Sequence, residues 1–123
     1  MKFSKAQKDK QVELNEWILA NWDDAISRYY EKIEKGFDFD VKPKRLFNCQ
    51  AEYFTIDKYV YLKSYNTIVA VFDIDFMNLI DVLRYVYGYT ATSAQHISKF
   101  YNLMRQKYSL YLDDIEIYRY YNI

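Results

Sequence analysis

The chain has 123 residues, of which 51% are hydrophobic, and it carries 17 basic and 17 acidic side chains. This length and apolar content predict a single domain, residues 1–123, with a hydrophobic core. Zero net charge argues against a nonspecific DNA binder, which usually has a basic excess, and against a strongly acidic DNA mimic. The single cysteine, Cys49, excludes an intramolecular disulfide and therefore a disulfide-stapled secreted domain.

Residues 1–36 are predicted to form a helical segment, because apolar and aromatic residues recur there every three or four positions. These residues are Ile18, Trp22, Ile26, Tyr29, Tyr30 and Ile33, and Phe37 continues the spacing just beyond the segment. Asn21 or Asp23 would be suitable to cap a second helix, so one long helix and a helix pair both fit the pattern. Gly36 is a suitable helix stop.

Residues 47–123 are predicted to form a sheet plus a helix, after a connection that contains the only proline, Pro43. Aromatic and β-branched residues bounded by Asp or Asn predict three strands, within residues 47–56, 57–65 and 66–73. Residues 74–87 are ambiguous. Their first part has helical spacing, whereas the overlapping stretch "VLRYVYGY", residues 82–89, looks extended.

The C-terminal part is predicted to contain one helix and a last strand. Thr92 and Gln95 have the spacing of a capping box, and an apolar stripe that includes Phe100 follows at helical spacing. A helix over residues 93–108 is therefore expected, followed by a strand in "IEIYRYY", residues 115–121. The resulting fold class is α+β, with an antiparallel sheet of three to five strands and this helix packed on it.

The sequence carries little catalytic chemistry. His96 is the only histidine, which excludes sites that need two histidines, and no glycine-rich phosphate loop is present. We expect no enzyme activity, no cofactor and no metal, and we expect His96 to bond a nearby backbone group and complete the packing. Two weaker alternatives are a nucleophile pair of Cys49 and His96, and an Mg²⁺ nuclease site at Asp73 and Asp75. Alternating aspartates at a strand end more often open a turn.

The 15 tyrosines are the unusual feature of the composition. Tyrosine suits binding surfaces because it combines an apolar ring with a polar tip. On a sheet, such rings stack bases of single-stranded nucleic acid, or they anchor a protein interface. Few basic residues are interleaved, which favours protein contact and predicts at most weak, salt-dependent binding of single strands. The candidate anchors are Tyr59, Tyr61, Tyr85 and Tyr87, whereas Tyr89 is expected to pack under the following helix, near His96 and Phe100.

Two segments of the chain resemble a family of small uncharacterised proteins encoded by phages, plasmids and prophages of Gram-positive bacteria. They are "SYNTIVAVFD", residues 64–73, and "YTATSAQHISKF", residues 89–100. The matching positions are Ser64, Tyr65, Thr67, Val69, Ala70, Tyr89, Thr90, Thr92, Ser93, His96, Ile97 and Phe100. The segment between them is longer than in the family, and residues 1–46 show no family pattern.

The resemblance implies a biological context, that of mobile genetic elements, rather than a particular reaction. Small proteins of mobile elements are often inhibitors of host defence, and these include anti-CRISPR proteins. The resemblance therefore favours an inhibitor that acts by stoichiometric protein binding. No targeting segment and no apolar run long enough to span a bilayer are visible in the sequence, so we expect the host bacterial cytosol and no membrane partner. The expected partner is a host nuclease effector complex, with type II Cas9 as the leading target. A single-stranded nucleic-acid binder with a tyrosine-rich sheet is the alternative, and the Mg²⁺ nuclease is a weaker one.

Overall fold

The computed structural model describes residues 3–35, 43–47, 49–108 and 115–123. In these residues it has three helices, α1 (Lys5–Glu34), α2 (Leu83–Val86) and α3 (Ala91–Tyr108). It has six strands, β1 (Lys44–Arg45), β2 (Ala51–Ile56), β3 (Tyr59–Ser64), β4 (Thr67–Asp73), β5 (Asn78–Asp81) and β6 (Glu116–Arg119). The predicted α+β class is confirmed.

The six strands form one sheet in chain order, from β1 to β6. All neighbours are antiparallel except β5 and β6, which are parallel. A parallel pair needs a crossover connection, and here the chain passes through α2 and α3 between the two strands. The sheet thus has more strands than the three to five expected, and it is mostly rather than wholly antiparallel. The additional strand β1 lies in the predicted connection, and β2 begins at Ala51 rather than near residue 47.

Helices cover both faces of the sheet. One core cluster joins α1 to the sheet through Ile18, Trp22, Ala25, Phe54, Ile56, Tyr59, Tyr61, Val71, Ile80 and Val82. The other joins α3 to the opposite face through Leu46, Ala51, Val60, Leu62, Val69, Ala70, Phe72, Leu79, Leu83, Ile97, Phe100, Met104 and Ile115. Because alternate side chains of a strand point to opposite faces, a sheet covered on both sides has strands that are buried almost throughout. This explains the continuous burial of β3 and β4.

Helix α1 is a single helix, so the helix-pair alternative is wrong. It begins with a capping box in which the Ser4 hydroxyl accepts from the Gln7 amide and the Gln7 side chain accepts from the Ser4 amide. Two buried amides on α1 then hold the C-terminal segment. Gln11 donates to the Arg119 carbonyl at 2.9 Å, and Asn15 both donates to and accepts from the Tyr121 backbone. The predicted stop at Gly36 lies outside the described residues.

The ambiguous segment has the opposite order from the one expected. Its first part is a turn, because one Asp73 carboxylate oxygen accepts from the amides of Asp75 and Phe76 and closes the chain on itself. Strand β5 follows. The part expected to be extended is instead the short helix α2, next to which the Asp81 carboxylate accepts from the Leu83 amide.

Helix α3 begins two residues earlier than predicted. The hydroxyl of Thr90 accepts from the Ser93 amide at 3.3 Å, which makes Thr90 the N-cap. Thr92 lies inside the first turn with its side chain exposed, and Gln95 is exposed as well. The predicted Thr92/Gln95 capping box is therefore wrong, although the helix itself is confirmed and ends at Tyr108.

Candidate functional site

The strand register brings three segments to one end of the sheet. Ser64, the last residue of β3, pairs with Thr67, the first residue of β4. Asp81, the last residue of β5, pairs with Ala70 and Arg119, so the chain continues into α2 at the end where the β3–β4 turn lies. The C-terminal segment after β6 reaches the same end because β6 runs parallel to β5.

Four exposed tyrosines collect at this end, and we call them the tyrosine end: Tyr65, Tyr85, Tyr87 and Tyr89. Their exposed fractions are 54%, 51%, 44% and 59%, respectively. Tyr85 packs edge-on against Tyr120, with ring centroids 5.3 Å apart. The Tyr87 hydroxyl donates a long bond of 3.5 Å to the Ser64 carbonyl. Exposed rings that are held by contacts of this kind with the rest of the protein are suited to act as contact anchors.

Two of the predicted anchors are not available for contact. Tyr59 and Tyr61 are buried beneath α1, with exposed fractions of 4% and 0%. The Tyr59 hydroxyl donates to the Asp24 carboxylate at 2.6 Å, and the Tyr61 hydroxyl donates to the Ala25 carbonyl at 2.5 Å. Their assignment as exposed anchors is wrong, because the helix covers the sheet face on which they lie. For the same reason, Tyr59 and Tyr61 offer no exposed rings on which bases could stack.

Tyr89 also differs from the expectation. It was expected to pack beneath α3 near His96 and Phe100, but it is the most exposed of the four tyrosines. Gly88 has a φ of +78°, a left-handed conformation that redirects the backbone between α2 and α3. The Tyr89 ring therefore lies against α2, and the guanidinium carbon of Arg84 is 4.8 Å from the centroid of that ring. Phe100, a residue of α3, is fully buried in the core between this helix and the sheet, as expected for a structural residue.

Beneath the tyrosine end lies a buried polar cluster of Ser64, Ser93 and His96. The Ser64 hydroxyl is hydrogen-bonded to His96 Nδ1 at 2.7 Å and to the Ser93 hydroxyl at 2.9 Å. The ring of Tyr65 lies 5.8 Å from the His96 ring. His96 was expected to bond a backbone group, but its partner is a side chain. The two segments that carry the family resemblance therefore meet at this cluster.

The cluster is built for holding α3 on β3 rather than for nucleophilic attack. All three side chains are buried, with exposed fractions of 0%, 2% and 3%, so the Ser64 hydroxyl is closed to a substrate. Burial lowers the pKa of His96, and the nearby positive charge of Lys99 lowers that pKa further. A neutral imidazole in a satisfied network fits a structural connection. This role of Ser64 and Ser93 was not predicted from the sequence, although both lie within the two resembling segments.

Residues of both catalytic alternatives, the nucleophile pair and the Mg²⁺ site, are engaged with other partners. Cys49 donates its thiol to the Leu46 carbonyl, while His96 is bonded to Ser64, so each member of the suggested nucleophile pair has another partner. Asp73 is engaged by its turn and by Lys58, whose Nζ lies 3.4 Å from the carboxylate. Within the described ranges, no three His, Cys, Asp or Glu side chains are grouped closely enough to hold a metal ion.

Comparison with known proteins gave no match, whether to a family model, to a curated protein or to a solved structure. In the part of the chain that the structure describes, no helix combines the length and the apolar character that crossing a membrane requires. The geometry of the tyrosine end is therefore the main guide to function.

Proposed function

We propose that this protein is a binding module that inhibits a host defence system by direct contact with a protein partner. The supporting observation is the collection of four exposed tyrosines at one end of a domain whose sheet is otherwise covered on both faces. Tyrosine combines an apolar ring with a polar hydroxyl, and tyrosines are frequent among the residues that dominate interface affinity. The module would act stoichiometrically, without turnover.

The resemblance to proteins of mobile elements supports the choice of partner. A host nuclease effector complex is the leading class, and type II Cas9 is the first target to test. Inhibition by contact needs only a surface that occupies a substrate site or blocks a conformational step. The tyrosine end supplies such a surface, and the buried cluster beneath it holds the β3–β4 turn and α3 in fixed relation.

The sharpest test titrates the pure protein into a Cas9 DNA-cleavage assay. We expect cleavage to fall with increasing protein and to reach its minimum near an equimolar ratio. The double variant Tyr85→Ala/Tyr87→Ala should weaken inhibition at least tenfold, because interface aromatics often contribute more than about 1.4 kcal/mol. The double variant must retain the wild-type circular dichroism spectrum.

Phe76→Ala is the matched control. Phe76 is exposed like the tyrosines, but it lies in the turn between β4 and β5, at the opposite end of the sheet. Its removal should leave inhibition unchanged. Capture from a host lysate, followed by mass spectrometry, extends the test to other nucleases. If neither Cas9 nor another defence protein binds, the inhibitor role is wrong. If a partner binds the double variant as well as wild type, the tyrosine end is not the interface.

A further inference from the structure

Arg84 occupies a distinctive position beside the tyrosine end. Its guanidinium carbon lies 4.8 Å from the ring centroid of Tyr89 and 4.8 Å from that of Tyr121. Such cation–π contacts hold a guanidinium by its face while its edge still carries N–H donors. The backbone of the residue is also held, because Asn122 donates its side-chain amide to the Arg84 carbonyl at 3.1 Å. The side chain is thus preorganised by rings from two separate segments.

No ion pair with a residue that the structure describes neutralises the positive charge of Arg84. Asp81 interacts electrostatically with Arg84, but its carboxylate accepts from the Leu83 amide and pairs with Arg119, whose Nε lies 3.4 Å away. Across residues 3–35, 43–47, 49–108 and 115–123, no carboxylate oxygen lies within 4.0 Å of the Arg84 guanidinium. A fixed guanidinium that has no acidic partner among the described residues is available to an external anion.

Arg84 lines a cavity of about 540 Å³ between the N-terminal residues, α2 and the C-terminal segment. The lining residues are Phe3, Lys8, Arg84, Gly88, Tyr89, Tyr121, Asn122 and Ile123. Two of these side chains are basic and none is acidic. The aromatic rings add apolar walls, so the cavity combines positive charge with surfaces that hold a chain segment.

We propose that this cavity binds an acidic segment of the partner protein, with Arg84 receiving a carboxylate and Lys8 supplying the second positive charge. Two N–H donors on the edge of a guanidinium match the two oxygens of a carboxylate. The proposal deepens the proposed binding function and rests on it for its biological role. A nucleic-acid backbone is the less suitable anion, because it requires a track of cations, and this cavity offers two in a chain of zero net charge.

The binding chemistry can be tested without knowing the partner. Protein labelled with ¹⁵N-arginine is titrated with a capped tetraglutamate peptide, a capped tetraglutamine peptide and a short oligothymidylate, and the arginine Nε–Hε signals are followed by NMR. We expect tetraglutamate to shift the Arg84 signal saturably in the millimolar range, and tetraglutamine to leave it unchanged. The Arg28 signal is an internal reference, because Arg28 already pairs with Asp57.

Substitutions separate specific recognition from general charge attraction. Chemical shifts of backbone amides around the cavity report binding in the variants. Arg84→Lys keeps the charge but loses the planar fork, and it should weaken tetraglutamate binding at least fivefold. Arg28→Lys, the matched control, should not change it. Lys8→Gln, at an exposed position of α1, should weaken it about twofold to fivefold and provides a second variant if Arg84→Lys perturbs the fold.

The outcomes distinguish this inference from the proposed function. A saturable Arg84 shift with tetraglutamate supports the acidic-segment site even if Cas9 is not inhibited. Absence of a shift at Arg84 with tetraglutamate overturns it even if Cas9 is inhibited. A tighter response to oligothymidylate than to tetraglutamate also overturns it and favours a nucleic-acid ligand. Equal binding by wild type and Arg84→Lys shows that charge alone, rather than a shaped site, attracts the peptide, and it contradicts the assignment.

Discussion

Two pairs of tyrosines with the same spacing have opposite environments in this protein. Tyr59 and Tyr61 lie beneath α1 and are buried, whereas Tyr85 and Tyr87 of the tyrosine end are exposed. Burial raises the pKa of both Tyr59 and Tyr61, and α1 supplies an acceptor for each hydroxyl. The exposed pair has exposed fractions of 51% and 44%. The same residue type therefore serves as core in one region and as contact surface in the other.

The same spacing occurs in strand β3 for Tyr59 and Tyr61, and in α2 and its C-cap for Tyr85 and Tyr87. Spacing alone therefore determines neither the secondary structure nor what covers the rings. A helix over the sheet turns a tyrosine stripe into core, and the polar tips then need acceptors on that helix. At the tyrosine end no helix covers the rings in the described part of the chain. A functional interpretation of a tyrosine stripe thus depends on where the long N-terminal helix packs.

The largest effect should come from the buried pair. Tyr61→Ala removes a fully buried ring that stacks on Phe54 at 5.3 Å, and we expect it to lower the free energy of unfolding by about 3–5 kcal/mol. Tyr85→Ala, the exposed counterpart, should lower it by less than about 1 kcal/mol. Urea unfolding followed by circular dichroism measures both.

Tyr61→Phe provides the finer control if Tyr61→Ala does not fold. It keeps the ring but leaves the Ala25 carbonyl without this donor, so a loss of about 1 kcal/mol is expected. Equal losses for Tyr61→Ala and Tyr85→Ala would show that the two regions do not differ as described.

The next effect concerns the support beneath the tyrosine end. Ser64→Ala removes the hydroxyl that connects His96 and Ser93, and we expect a loss of about 1–3 kcal/mol because buried polar groups remain without it. Ser98→Ala, at an exposed position of α3, is the control and should change stability by less than about 0.5 kcal/mol. A neutral Ser64→Ala variant would argue against the cluster as the connection between α3 and β3.

The same cluster predicts a pH dependence of stability. The pKa of His96 is 6.5 in the unfolded chain and lower in the folded state, so the unfolded chain binds more protons below that pH. Stability contributed by neutral His96 should be fully present above pH 6.5 and should be lost as the pH falls through this value towards the folded pKa. Unfolding free energies at about pH 7.5 and about pH 5.5 measure this, and His96→Gln should abolish the difference. A wild type that gains stability on acidification relative to His96→Gln would contradict the prediction.

The sequence predicted the long elements because their patterns are strong. The apolar stripe of α1, the alternation of β3 and the stripe of α3 correctly predict these elements and the α+β class. The secondary-structure prediction failed where local hydrogen bonds stabilise a structure other than the one that the residue spacing indicates. The Asp73 carboxylate organises a turn in a segment with helical spacing, and α2 forms in a segment that looked extended. These outcomes depend on side-chain bonds that periodicity does not report.

The candidate site was less accessible from sequence than the fold. Tyr85 and Tyr87 were named as anchors, and they are exposed as that hypothesis requires, but Tyr65 and the cavity at Arg84 were missed. Tyr121 lies 37 positions after Arg84 in the sequence, and the parallel pairing of β5 with β6, together with the bonds from Asn15 to the Tyr121 backbone, brings the two together. Ser64 and His96 likewise meet through packing of α3 on the sheet. Contacts between distant segments cannot be obtained from spacing within either one.

The smallest predicted effect concerns the boundary of the tyrosine end. Thr90 follows Tyr89 directly and caps α3, so Thr90→Ala should lower the free energy of unfolding by about 1 kcal/mol, whereas Thr92→Ala should have little effect. The Tyr89 ring lies on Arg84 of α2 rather than on α3, so loss of the cap should leave partner affinity within about twofold of wild type. Urea unfolding and the cleavage assay measure these two quantities. A large loss of affinity in Thr90→Ala would show that the helix start, and not the support from α2, positions the exposed ring. A larger stability loss for Thr92→Ala than for Thr90→Ala would move the cap back to the position predicted from the sequence.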